Sequence, residues 1–152
     1  MGKINSRAKG KAGERELIGE LKKLLPPEMT SELTRNLDQT RDGGHDILGL
    51  GDWALEVKRY AEVLPADLER FWAQATEQAR KDEKRPALAY RQDRRPWRVV
   101  VRMSDVGLVM KSDAYEDTVE MSLTLFAKLV DVYEKLAKLV RSGEELENVQ
   151  VA

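Results

Sequence analysis

Four side chains in this sequence have the types and spacing to gather a divalent cation beside an ammonium group: Glu14, Asp46, Glu56 and Lys58. Glu56 and Lys58 are two apart in Trp53 to Tyr60, which reads as a strand, so they share a face while Leu55 and Val57 point the other way. Asp46 belongs to the preceding strand, His45 to Leu50, and Gly51-Asp52 makes the turn between them. The pair reads as a hairpin, across which Asp46 reaches the strand of Glu56. Glu14 comes from a helix predicted over Ala12 to Leu25, which Pro26-Pro27 stops.

At about 100° per residue, Leu17, Ile18, Leu21, Leu24 and Leu25 fall within about 80° of Glu14. Glu14 therefore lies in the apolar stripe that faces the protein body, and Glu16 and Glu20 lie on the opposite, wet side. An acid so placed needs a partner or a metal. Three converging carboxylates repel one another unless a cation neutralises them. With no cysteine and one histidine, an all-oxygen ligand set favours Mg²⁺, with Mn²⁺ able to substitute. A lysine beside them can hold a nucleophilic water or a phosphate oxygen.

Each residue also has an ordinary reading. A Glu-x-Lys pair is common on a wet sheet face, a buried Glu14 can be an ion-pair partner, and Asp46 can shape a turn. Their joint arrival on a helix and a hairpin favours the metal site. His45 should point opposite to Asp46 on extended backbone, which suits a structural or supporting role. Gln74 and Gln78 lie on the flank of a later helix, where either could assist the site or simply face solvent.

The elements that must position these groups run helix, three strands, helix, two strands, helix. Residues 32–40 read as a short polar strand and turn, and 40–44 as a glycine-bearing loop. Ala66 to Lys81 reads as the second helix, with Leu68, Phe71, Trp72, Ala75 and Ala79 on its apolar face, Pro65 at its start and Pro86 beyond its end. Strands are expected at Ala87 to Tyr90 and Trp97 to Val101, with Arg91 to Arg95 as a basic turn. A short strand is expected at Leu108 to Met110, and a long last helix over 118–141, ended by Ser142-Gly143. The order implies an α/β fold with a mixed central β-sheet flanked by helices.

The motif His45-Asp46, nine intervening residues, then Glu56-Val57-Lys58 resembles the PD-(D/E)xK nuclease superfamily. Within it the chain is most similar to archaeal-type and phage Holliday junction resolvases, through Lys9-Gly10-Lys11-Ala12-Gly13-Glu14 and Asp42-Gly43-Gly44-His45-Asp46-Ile47. His45 stands where the family usually has proline. The resemblance covers residues 7 to 102. It implies a restriction-endonuclease-like core over 13–102, preceded by a flexible basic arm at 1–12. A C-terminal helical extension at 103–152 would pack on the core or on a dimer partner, in one domain overall.

The resemblance further implies that Asp46 and Glu56 hold the cation, with the Val57 backbone carbonyl adding an oxygen and Glu14 helping directly or through water. Lys58 would orient the attacking water. Either its own pKa is lowered or the cation activates that water. In-line attack would expel the 3′ oxygen and leave a 5′ phosphate. The implied activity is Mg²⁺-dependent resolution of four-way DNA junctions by a two-fold dimer. Another nuclease of the superfamily, acting on flap, nicked or duplex DNA, and a non-catalytic DNA-binding module are the alternatives.

Net charge is -1, but residues 1–23 carry +4 and 80–102 carry +6 against an acidic remainder. Such segregation can build a phosphate-binding surface. Lys9, Lys11, Arg15, Arg41, Arg59, Arg91, Arg94 and Arg95 are the expected DNA contacts, gripping phosphates without reading bases. The last helix carries two apolar seams, Leu125, Leu129, Val132, Leu136, Leu139 and Phe126, Val130, Tyr133, Ala137, Val140, wide enough for a core and a partner copy. No signal-peptide pattern or membrane-length apolar run is present, and no nucleotide P-loop, so a cytoplasmic protein of a bacterial or archaeal cell, or of its phage, is expected.

Overall fold

Alternation along Trp53–Tyr60 decides the layers. Leu55 and Val57 join a core with Leu17 and Leu21 from the first helix and Phe126 and Val130 from the last. The opposite face of the sheet packs Leu88, Tyr90 and Val100 against Phe71, Trp72 and Ala75 of the middle helix. This computed structural model describes residues 6–37, 44–107 and 109–143, with side chains from Gly10 onward. The elements are α1 (Ser6–Leu24), the single turn α2 (Pro27–Thr30), β1 (Thr34–Arg35), β2 (Ile47–Leu48), β3 (Trp53–Tyr60), α3 (Pro65–Lys81), β4 (Arg85–Gln92), β5 (Arg98–Arg102), β6 (Thr118–Ser122) and α4 (Leu123–Arg141).

One six-stranded sheet runs β1-β2-β3-β4-β5-β6. β3 and β4 are parallel and joined by α3, whereas every other pair is antiparallel. This is the expected α/β fold: a mixed sheet flanked by helices, with a long C-terminal helix. The expected β2–β3 hairpin is present, with Ile47 opposite Leu55. Trp53, fully buried, meets Phe126 edge-on at 5.3 Å and Tyr133 at 5.4 Å. Burying each such side chain contributes roughly 2–3 kcal/mol, which fastens α4 to β3.

Several boundaries differ from the sequence reading. α1 begins at Ser6, inside the segment expected to be a flexible arm. Ala8, Lys9, Lys11 and Ala12 are good helix formers and extend the helix past the end of its apolar stripe. The expected strand at Leu108 to Met110 is absent at Val109 and Met110, which are exposed and irregular, and Leu108 lies outside the described residues. A strand not expected, β6, occupies 118–122, and the last helix starts at Leu123 instead. Ser122 caps that helix, its hydroxyl accepting the Leu125 N–H at 3.1 Å, a start signal that alternating Thr118, Val119, Glu120 and Met121 obscured. Pro86 is a strand residue opposite Ala54, near the start of β4, where the missing N–H is tolerated. Arg91 also belongs to β4, not to the turn.

Candidate active site

β3 delivers Glu56 and Lys58 to the sheet face beneath α3. Lys58 Nζ lies 3.1 Å from Glu56 and donates to Gln74 Oε1 of α3 at 2.8 Å. The ammonium also sits 5.1 Å above the Phe71 ring. These contacts fix a flexible side chain over the acid.

Asp46 is held by its backbone and by its carboxylate. Its N–H donates to Leu55 O at 2.9 Å, and its carbonyl accepts from Asn36 N at 2.9 Å. The Val57 N–H donates to Asp46 Oδ2 at 2.6 Å. Asp46 is thus bonded to the residue between Glu56 and Lys58, which brings its carboxylate to the strand that carries both. Val57 itself is buried in β3 opposite Ala89.

Glu56 is 3% exposed, and among the described residues its Oε2 has no hydrogen-bond partner. Burial first, and then the nearby Asp46 charge, push its carboxyl up to about 7, while Lys58 pulls it down and Glu14 adds a small push upward. A buried carboxyl under that strain gains from a cation beside it.

Glu14 reaches this neighbourhood from α1, whose close approach to β3 depends on Gly13. Its carboxylate is taken by Arg35 of β1, Nε to Oε2 at 2.6 Å. Arg35 was not singled out from the sequence; a lone arginine on a two-residue strand gives no periodic signal. Among the described residues, no three or more of His, Asp and Glu are grouped to hold a metal ion. The gathered acids are Asp46 and Glu56, with Glu14 turned to a cation of the protein's own. A pair still fits Mg²⁺, which keeps several waters and commonly takes one or two carboxylates from protein.

The three accessory candidates all lie at this edge. Gln74 holds Lys58. Gln78 Oε1 accepts the Gly44 N–H at 2.7 Å. His45 is buried, its Nδ1 2.6 Å from Asp82 Oδ2.

The profile of the family described as "Phage putative PDDEXK endonuclease" matches residues 5–142. The chain belongs to this family. The hairpin that carries Asp46 and Glu56-Val57-Lys58 lies within the matched region, and the fold is PD-(D/E)xK-like. Among solved structures, the chain is similar to Hjc, a Holliday junction resolvase from the archaeal hyperthermophile Archaeoglobus fulgidus. The two are 21% identical with a TM-score of 0.41, over 78% of this chain and 87% of that one. No curated protein matches the chain.

Around the PDDEXK hairpin, the expected DNA-contacting cations divide into two groups. Lys11, Arg15, Arg94 and Arg95 are exposed, and Arg94 adopts a left-handed φ of 62° in the turn after β4. Arg59 and Arg91 are held by acids of the protein: Arg59 by Asp93 and, at 3.8 Å, by Glu16, and Arg91 by Glu16. Glu16 also accepts the Trp97 Nε1–H at 3.1 Å. Glu16 stays about one-third exposed, on the wetter flank that helix periodicity gave it, and is paired there with two arginines and an indole. The Lys9 side chain and Arg41 lie outside the described residues. Among the described residues, no helix is long and apolar enough to cross a membrane.

Proposed function

We propose that the protein is a structure-selective DNA endonuclease that resolves four-way junctions by metal-dependent phosphodiester hydrolysis, acting as a homodimer in the cytoplasm of a bacterial or archaeal cell. The observation that carries this reading is Glu56: a buried carboxylate with an unpartnered oxygen, beside Asp46 and under Lys58. Such a group costs stability in the metal-free protein and is offset by a divalent cation.

Asp46 and Glu56 would hold that cation, with the Val57 carbonyl and Glu14, directly or through water, as further donors. Mg²⁺, or Mn²⁺ in its place, would supply charge neutralisation for the phosphate. The residues do the remainder. Lys58 Nζ, held by Glu56 and aimed by Gln74, would give its third N–H to a non-bridging phosphate oxygen, while the attacking water would lose its proton to solvent and the departing 3′ oxygen would take one from solvent. In-line displacement expels the 3′ oxygen and leaves a 5′ phosphate. Lys11, Arg15, Arg94 and Arg95 grip backbone phosphates, which suits reading of branch geometry over sequence.

Support for the dimer comes from α4. Phe126 and Val130 of one seam are buried, with Val140 at its far end exposed, whereas Leu125, Val132, Leu136 and Leu139 of the other seam are each about half exposed. Leu125, Val132 and Leu136 border an apolar groove of about 620 Å³ that continues onto Val119 and Met121 of the edge strand β6. A second copy covering this face would set two sites to cut two strands symmetrically.

The test is cleavage of a four-way junction, a flap and a linear duplex with Mg²⁺, by wild type and Asp46→Asn. Paired symmetric nicks in the junction, lost in Asp46→Asn with binding retained, are expected. Equal cutting by both proteins overturns the site, and preferential cutting of flap or duplex overturns the substrate.

A further inference from the structure

One edge of α3 presents Gln74, Gln78 and Asp82 at successive four-residue steps, so all three lie along one side of the helix. Each makes a hydrogen bond to a different part of the candidate site. Gln74 takes Lys58 Nζ at 2.8 Å, Gln78 takes the Gly44 N–H at 2.7 Å, and Asp82 meets His45 Nδ1 at 2.6 Å. The helix is itself pinned to the sheet by buried Phe71, Trp72, Ala75 and Ala79. Its edge therefore works as a rigid template for three otherwise separate pieces of chain.

The Asp82 contact differs from the two glutamine contacts because of what it fixes. Among the described residues, His45 Nε2 is buried with no hydrogen-bond partner, so the bond to Asp82 is the polar contact that orients the ring. A carboxylate opposite Nδ1 selects the tautomer in which Nδ1 carries the hydrogen and donates it. His45 also fixes its own backbone, its carbonyl accepting from Asn36 Nδ2 at 2.9 Å. The next residue is Asp46.

We propose that Asp82 is a positioning residue, which acts through His45 to hold the Asp46 carboxylate in the place where a divalent cation binds. The proposal rests on the nuclease reading given above and adds Asp82 to it. Fixing the histidine fixes the peptide between His45 and Asp46. That peptide determines where Asp46 emerges relative to Val57 N and Glu56. The two-residue strands β1 and β2 are too short to do this alone. Residues that orient a ligand without touching the metal typically contribute a 10- to 100-fold factor in affinity. Asp82 is about one-third exposed, so its replacement leaves the core packed.

The test is Mn²⁺ binding to the DNA-free protein, followed by electron paramagnetic resonance, with melting temperature measured on the same samples. Asp82→Ala and His45→Ala should each weaken Mn²⁺ binding by roughly 10- to 100-fold. The double variant should be no weaker than either single, because the two act as one unit. Asp82→Asn, which retains an oxygen to accept from Nδ1, should recover most of the affinity. Asp46→Asn is the reference. If Asp46→Asn loses Mn²⁺ but Asp82→Ala binds it as wild type does, with or without a lower melting temperature, Asp82 only closes a loop and the positioning role is wrong. If Asp46→Asn also binds Mn²⁺ as wild type does, the metal site itself is misplaced and the nuclease reading falls with it.

Discussion

Gly13 of α1 lies so close to Arg59 of β3 that a Cβ on the glycine would meet the Arg59 Cβ at 2.7 Å. The neighbour is the root of a side chain on a strand, so it cannot swing aside. Gly19, further along the same helix, has nothing within 4 Å of its added Cβ. Alanine favours a helix over glycine by about 1 kcal/mol, whereas forcing a methyl into filled space costs about 1–3 kcal/mol. Gly19→Ala should raise stability in urea melts and Gly13→Ala should lower it. Shifts of the same sign in both would show that α1 and β3 are not in this contact.

Removing the ammonium should matter more than removing what aims it. Lys58→Met is expected to slow single-turnover cleavage by roughly 100- to 1,000-fold, the scale for losing a donor to developing charge. Gln74→Ala leaves the charge in place and should cost less than about tenfold. Cleavage by Lys58→Met at wild-type rate would remove Lys58 from the reaction.

The pH dependence of the metal-free protein follows from Glu56. Its folded pKa of about 7 lies above the ordinary 4.5, so the folded chain binds this proton more tightly than the unfolded chain does. Its stabilising effect is complete below about 4.5 and is lost as pH rises to about 7, a change of about 3 kcal/mol. Urea melts in chelator at pH 5 and pH 7.5 should show wild type losing stability that Glu56→Gln does not lose. Parallel pH profiles for the two proteins would contradict the assignment.

A second buried ionic cluster serves the fold alone. Arg102 Nε and Nη2 reach Asp105 at 2.8 and 3.1 Å, and Arg85 Nη1 reaches it at 2.6 Å. Both Arg102 and Asp105 are buried. Asp105→Ala leaves Arg102 in the interior with, among the described residues, Asp113 as its remaining acid partner. A loss of about 3–5 kcal/mol is expected in chemical denaturation. A loss under about 1 kcal/mol would mean that water reaches the guanidinium.

The exposed seam of α4 gives a test of assembly. A charge at Val132 or Leu136 faces solvent in the single chain but is buried if a second copy covers the helix. Val132→Asp should sediment as a monomer at concentrations where wild type is a dimer, with the far-ultraviolet spectrum unchanged. Identical sedimentation of the two proteins would place the dimer contact elsewhere.

The sequence made the acid and lysine positions legible because they obey periods. Glu56 and Lys58 follow the two-residue repeat of a strand, and Glu14 interrupts a helical stripe at a fixed angle. What it concealed are groups defined by long-range partners. Arg35, Asp82 and Asp93 carry no local pattern, and their meaning comes from residues 21, 37 and 34 positions away. The partners of Glu16 were hidden for the same reason: helix angle gave its side of the helix but not Arg91 and Trp97, which are distant in sequence. β6 was hidden because a strand running directly into a capped helix leaves no turn residues between them.

β1 and β2 pair through only two residues, and β2 meets β3 at a single register position. The outer corner of the sheet, which carries Asp46, is therefore the thinnest part of the ladder, whereas β3 and β4 pair along eight residues. Backbone amides around 34–36 and 45–48 should trade hydrogen for deuterium well before those of β3 to β5. Asp46 therefore stands where few strand pairings support it and Glu56 where many do, so the spacing of the two acids depends on the side-chain bonds around Asp46 far more than on those around Glu56.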